Sequence, residues 1–110
     1  GVVLDPAHGY VLTLAAGGVL TELMADSVTM LLPVTGPEVE AAVMRLRYGP
    51  VLTGYRGARP ADMKAVVGAV LAVQDYVIAH QGRVAEVEVN PLICTPDAAI
   101  AADALIRGKE

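Results

Sequence analysis

Two carboxylates and a carboxamide recur at every second position of Glu86-Val87-Glu88-Val89-Asn90-Pro91, in a chain of 110 residues that is 55% hydrophobic and only 18% charged. On a strand, side chains alternate faces, so Val87 and Val89 point one way while Glu86, Glu88 and Asn90 line the other. A few oxygen ligands on one face suit a hard cation such as Mg2+, which completes its shell with water and substrate phosphate.

The residues that follow supply a partner strand. Thr95-Pro96-Asp97-Ala98 has proline at the second position of a turn, so the strand over residues 84–94 is expected to return over residues 99–106. With the turn centred on Pro96-Asp97, Thr95 pairs with Ala98, and counting outward puts Asn90 opposite Asp103. Opposed residues of an antiparallel pair carry Cβ atoms about 4.5–5.5 Å apart on one face. Two oxygen-bearing side chains would converge there, with Glu88 one step along the same face and no Lys or Arg in either strand. Spacing alone favours the plainer reading, an ordinary solvated strand face.

The elements that must hold this hairpin can be read upstream. Residues 10–16, rich in Val, Leu and Thr between Gly9 and Gly17-Gly18, read as a strand entering a glycine turn. Residues 27–34 (SVTMLLPV) read as a second strand, with Pro33 confining it to an edge or a strand end. Thr35 with Glu38 three residues on is a capping-box pattern, and Val39, Val43 and Leu46 recur at helical spacing to about Tyr48. Residues 48–59 read as a loop with a short extended piece at Val51-Leu52. Pro60 stands where a first-turn proline belongs, Met63, Val66, Val67, Val70, Val73 and Val77 form an apolar stripe, and Gly82 closes this second helix.

Composition sets the bounds. At this length the chain is one domain at most or a piece of something larger, and it opens without Met, in mid-pattern, as a cut piece would. Mean hydropathy is +0.53, and four Tyr are the only aromatics, so the core must be Val, Leu, Ala, Ile and Met. Net charge is −4 with basic residues scattered along the chain, which argues against a nucleic-acid or anionic-membrane partner. No apolar run reaches the roughly 18 residues needed to span a bilayer. The single Cys94 reads as a small core residue and fits a reduced, cytoplasmic setting. His8 reads as a solvated loop residue and His80 as a helix-end cap. Arg56 and Arg59 could reach a phosphate or a partner subunit, or be ordinary exposed loop arginines.

Gly54-Tyr55-Arg56-Gly57, Pro60-Ala61-Asp62 and above all Glu86 to Ile93 (EVEVNPLI), followed by Asp97 and Ala102-Asp103-Ala104, resemble the ATP-grasp domain of the nucleoside-diphosphate-forming acyl-CoA synthetases. This is the acetate–CoA ligase (ADP-forming) group, related to the succinyl-CoA synthetase β subunit. Asp5-Pro6-x-x-Gly9, Gly17-Gly18, Glu22, Asp26 and Leu32-Pro33 agree, so the resemblance covers nearly the whole chain.

The resemblance implies an α+β fold: the C-terminal subdomain of an ATP-grasp domain, mostly antiparallel sheet with two helices on one face. Residues 1–110 would be part of a larger protein whose nucleotide-gripping half lies upstream. By position, Asn90 and Asp103 match the side chains that hold Mg2+ at the phosphates of ATP. Glu88 matches the acid that approaches a phosphorylated histidine, and Gly17 and Gly18 match a glycine turn near phosphate. The implied partner is a CoA-binding, phosphohistidine-bearing domain or subunit, and a homo-oligomer is compatible. Leu4, Ala15, Met30 and Ala98 depart from the pattern, standing where the family has Arg, Gly, a basic residue and Gly. Two readings follow: the metal-bearing lobe of an acyl-CoA synthetase, or a silent ATP-grasp remnant serving as a regulatory or docking module of an acyltransferase.

Overall fold

A computed structural model describes residues 1–17 and 26–110. The chain opens with a hairpin of β1 (Val2–Asp5) and β2 (Gly9–Ala15), in which Asp5 pairs with Gly9 across the turn. The DPxxG motif builds that turn: Asp5 Oδ1 accepts from Ala7 N at 2.7 Å, and Gly9 sits at φ +82°, where a side chain would be strained. These hydrogen bonds, first that of Ala7 and then that of His8, hold the Asp5 carboxyl below its usual range. Strand β3 (Ser27–Leu31) stops before the Leu32–Pro33 bond and lies at a sheet edge, the two outcomes Pro33 permits.

Helix α1 (Gly36–Arg45) begins where the capping box predicts. Glu38 N donates to Thr35 Oγ1 at 3.3 Å and Thr35 N to Glu38 Oε1 at 3.0 Å, satisfying two donors that a helix start leaves open. The extended piece expected at Val51-Leu52 is instead a short helix, α2 (Gly49–Leu52). It starts where Gly49 nests against α1, since a Cβ there would meet the Val43 and Met44 carbonyls at 3.2 Å.

Helix α3 (Met63–Ala79) begins later than Pro60 suggested, because Asp62 is the cap and accepts from Ala65 N at 3.1 Å. Its buried stripe of Val66, Val70 and Val77 includes a polar residue the apolar pattern passed over, Gln74. Gln74 Oε1 accepts from Val34 N at 2.6 Å and its Nε2 donates to Val34 O at 3.0 Å, so one side chain ties the helix to the segment after Pro33.

The expected long hairpin forms, divided in two. Its outgoing arm is β4 (Val84–Val89) and β5 (Leu92–Cys94), and its return arm is β6 (Ala99–Ala101) and β7 (Ala104–Gly108). Strands β4 and β7 join an antiparallel five-stranded sheet of order β3-β2-β1-β4-β7, while β5 and β6 make a separate two-stranded sheet. Pro91 lies at the division on the outgoing arm, where its missing N–H removes a ladder donor; the Asn90–Pro91 bond is cis, as is Leu32–Pro33.

The registers define two faces. Met30, Leu12, Val2, Val87 and Ile106 form one row across the large sheet, and Val2, Leu12 and Val87 pack with Val39, Val43, Val66, Val70 and Val77 into the core. The neighbouring row is Leu31, Val11, Val3, Glu86 and Arg107. Among the described residues, no helix is long and apolar enough to cross a membrane.

Candidate functional site

The hairpin keeps one register through its division. Glu86 pairs with Arg107, Glu88 with Leu105 and Val89 with Ala104; beyond the break Leu92 pairs with Ala101, and the turn closes with Thr95 N donating to Ala98 O at 2.8 Å. Between the two ladders, Asn90 N donates to Asp103 O at 3.1 Å and Ala102 N to Pro91 O at 3.0 Å. Asn90 and Asp103 are therefore backbone partners at the point where the strands leave one sheet for the other. Both are exposed.

Their chemistry suits a hard cation. Asp103 Oδ1 accepts from Ala104 N at 2.9 Å, which fixes the carboxylate while its second oxygen points to no donor among the described residues. No group of three or more His, Cys, Asp or Glu gathers as a metal cluster among the described residues. A carboxylate and an amide oxygen are hard groups of the kind Mg2+ takes, since it dehydrates reluctantly and keeps several waters.

The acidic face is less uniform than its spacing suggests. Strand β7 extends past Ile106 to take in Arg107, whose Nε lies 3.2 Å from Glu86 Oε1, so a cation is built into the return strand after all. Glu86 is thereby engaged, whereas Glu88 faces Leu105 and is half-buried. Val3 and Leu31, 43% and 54% exposed, interrupt the polar face with apolar side chains.

Gly17 and Asn90 line a cavity of about 430 Å3, mostly aliphatic, which Pro91 also borders. A Cβ on Gly17 would lie 3.9 Å from Pro91 Cβ, an ordinary contact, so close approach does not require glycine there. Gly18 and Glu22 lie outside the described residues. Burial raises the pKa of Cys94, another lining residue packed against the core. His80 caps α3 as read, its Nδ1 2.7 Å from Tyr76 O and its ring stacked on Tyr76 at 4.1 Å, and His8 is exposed beside Asp5.

One organising residue had no distinguishing local signal. Asp26, 5% exposed, accepts from Arg47 N at 2.8 Å through Oδ1 and from Tyr48 N at 2.9 Å through Oδ2, while Ala16 N donates to Asp26 O at 2.9 Å. It fixes the end of α1 to the start of β3.

Comparison with known proteins extends this picture. A family model described as ATP-grasp domain matches residues 1–107. The beta subunit of an ADP-forming acetate–CoA ligase II of Pyrococcus furiosus is 29% identical over 92 residues, which are 84% of this chain and 39% of that protein. A trans-feruloyl-CoA synthase from an unknown prokaryotic organism is 30% identical over 108 residues, 96% of this chain and 15% of that protein. Among solved structures, an acetyl-coenzyme A synthetase of Ca. Korarchaeum cryptofilum in complex with coenzyme A and Mg-AMPPCP aligns with a TM-score of 0.89 at 27% identity. That alignment takes 98% of this chain and 50% of the other. This chain thus spans half or less of the length of these relatives.

Proposed function

The chain belongs to the ATP-grasp domain family, and on that premise we propose that it is the metal-bearing lobe of an ADP-forming acyl-CoA synthetase, an acid–thiol ligase. The whole protein would convert ATP, a carboxylic acid and CoA to acyl-CoA, ADP and phosphate, with a histidine of a CoA-binding partner domain or subunit carrying the phosphoryl group, in the cytoplasm. The carrying observation is the backbone pairing of Asn90 with Asp103 where the two sheets part. Asn90 Oδ1 and the second oxygen of Asp103 would hold Mg2+, which when bound neutralises phosphate charge. Glu88, the acidic side chain nearest to Asn90 along β4, would accept from the imidazole N–H of the incoming histidine and set its tautomer. Gly17, with Gly18 after it, would let backbone amides approach phosphate.

Two ligands and an aliphatic cavity do not make a nucleotide cradle, so this chain alone is expected to lack synthetase activity and to bind Mg·ATP only weakly. Micromolar binding by the isolated chain would contradict that division of labour. A second reading, a catalytically silent module of an acyltransferase, draws support from Met30, which packs against the core where the family pattern expects a basic residue. Phosphohistidine formation from labelled ATP in the full-length parent separates the two. In an active enzyme, Glu88→Gln retains ATP binding and slows histidine phosphorylation, and Asp103→Asn slows it further. Equal, near-normal phosphorylation in both would leave the acidic strand face without a catalytic role.

A further inference from the structure

The cations of this chain are unevenly shared. Arg45, Arg47, Arg56, Arg59 and Lys64, five of the eight Lys and Arg, fall within a stretch holding one of the twelve carboxylates, Asp62. That carboxylate is already the cap of α3. The same stretch exposes large apolar side chains: Met44, Tyr48, Val51 and Tyr55 are 45%, 42%, 40% and 52% accessible.

The fold gathers these residues at one end of the helical layer, from the last turn of α1 through α2 to the start of α3. Ala61 N donates to Leu52 O at 2.7 Å, closing the intervening loop at its base, and Asp62 N donates to Thr95 O at 2.8 Å, tying the loop to the hairpin turn. Within the loop, Gly54, Arg56 and Gly57 have φ of +106°, +52° and +79°, and Arg56 is the sole non-glycine at positive φ among the described residues. An arginine is strained there, and such strain persists where the surrounding structure and use of the side chain outweigh it. Its guanidinium carbon lies 5.3 Å from the Tyr55 ring centroid, so the two side chains are presented together. Arg59 reaches Asp97 at 3.6 Å, but both side chains are largely exposed and the pair is easily exchanged.

We propose that this end of the molecule is a docking surface for a protein partner that presents carboxylates around an apolar strip. Composition selects the partner class. Arg, Tyr and Met are the residues enriched in the buried centres of protein interfaces, while the partner's carboxylates would sit at the polar rim around them. RNA bases would stack on Tyr48 and Tyr55 but leave the aliphatic Met44 and Val51 without apolar cover. Guanidinium groups pair carboxylates in a bidentate fork, and a guanidinium already ordered over a ring loses less freedom in doing so. The inference does not depend on the proposed reaction.

The test titrates the whole chain against fluorescein-labelled peptides of equal length and apolar content, one carrying Asp and Glu, the other Asn and Gln, with a single-stranded RNA as a third probe. The acidic peptide should bind about tenfold tighter than its amide counterpart, and Arg56→Glu with Arg59→Glu should remove that advantage. Arg56→Gly suits the positive φ, so it should keep the melting temperature while weakening binding severalfold. Arg83→Glu, on the exposed turn before β4, should leave binding within about twofold, as surface changes away from a contact do. Equal binding of the two peptides, tighter binding of the RNA, or full binding by Arg56→Gly with Arg59→Glu would overturn the proposal.

Discussion

Asp26 and Asp103 each stand immediately before an edge strand, β3 and β7, and the fold uses them in opposite ways. Asp26 is buried and spends both oxygens on the backbone of Arg47 and Tyr48. Asp103 is exposed and gives one oxygen to the adjacent Ala104 amide, while the other accepts no bond among the described residues. A carboxylate saturated by backbone amides is a structural tie; one held in place but half-satisfied is available to a ligand. Type and neighbourhood in sequence do not separate the two; the count of donors around each does.

Exchanging the fates of these two residues tests the comparison. Asp103→Asn in the full-length parent keeps an acceptor for the Ala104 amide and loses the charge facing the proposed cation. Activity should fall about a hundredfold in kcat, as for loss of an electrostatic ligand, with stability unchanged to within about 0.5 kcal/mol. Asp26→Ala should do the reverse. Two part-buried amides lose their acceptor, so unfolding free energy should drop by about 2 kcal/mol, and the melting temperature by about 10 °C, with kcat per folded molecule retained. A catalytic collapse in Asp26→Ala without loss of stability would merge two roles that the geometry separates.

How much of this was legible in sequence follows the range of the interactions. The Thr35–Glu38 box, the Thr95–Ala98 turn and the register placing Asn90 against Asp103 depend on residues close in sequence or on counting along a ladder, and local pattern reaches them. The division of both hairpin arms was missed, because residues 84–94 and 99–106 read as continuous strands and only the assembled sheets separate them. Gln74 broke an apolar stripe for a partner forty residues away, Val34, and Asp26 serves amides more than twenty residues on. Val51-Leu52 has strand-like residues, but Gly49 packing against α1 turns them into a helix. Each miss is tertiary structure overriding local preference.

Smaller effects sharpen the same contrast. Glu86 is paired with Arg107 and more accessible than Asp26, so Glu86→Gln should shift stability by no more than about 0.5 kcal/mol and leave phosphorylation mild in its response. Burial raises the Cys94 thiol above its ordinary pKa of 9.0, so the folded state favours the neutral thiol. The stability this confers is present below that value and is lost as pH rises through the higher folded pKa. Native protein at pH 8 should alkylate more slowly with iodoacetamide than unfolded protein, and Cys94→Ser should flatten the alkaline limb of the stability curve.

The central claim, that Asn90 and Asp103 together form a cation site, is most directly tested by titrating Mn2+ into the 15N-labelled chain and following paramagnetic broadening of its amide signals. The account predicts that Asn90, Asp103 and Ala104 broaden first and that Asp103→Asn abolishes this order. Broadening that begins instead at exposed Glu38 and Glu40, or that is the same in Asp103→Asn, would contradict it.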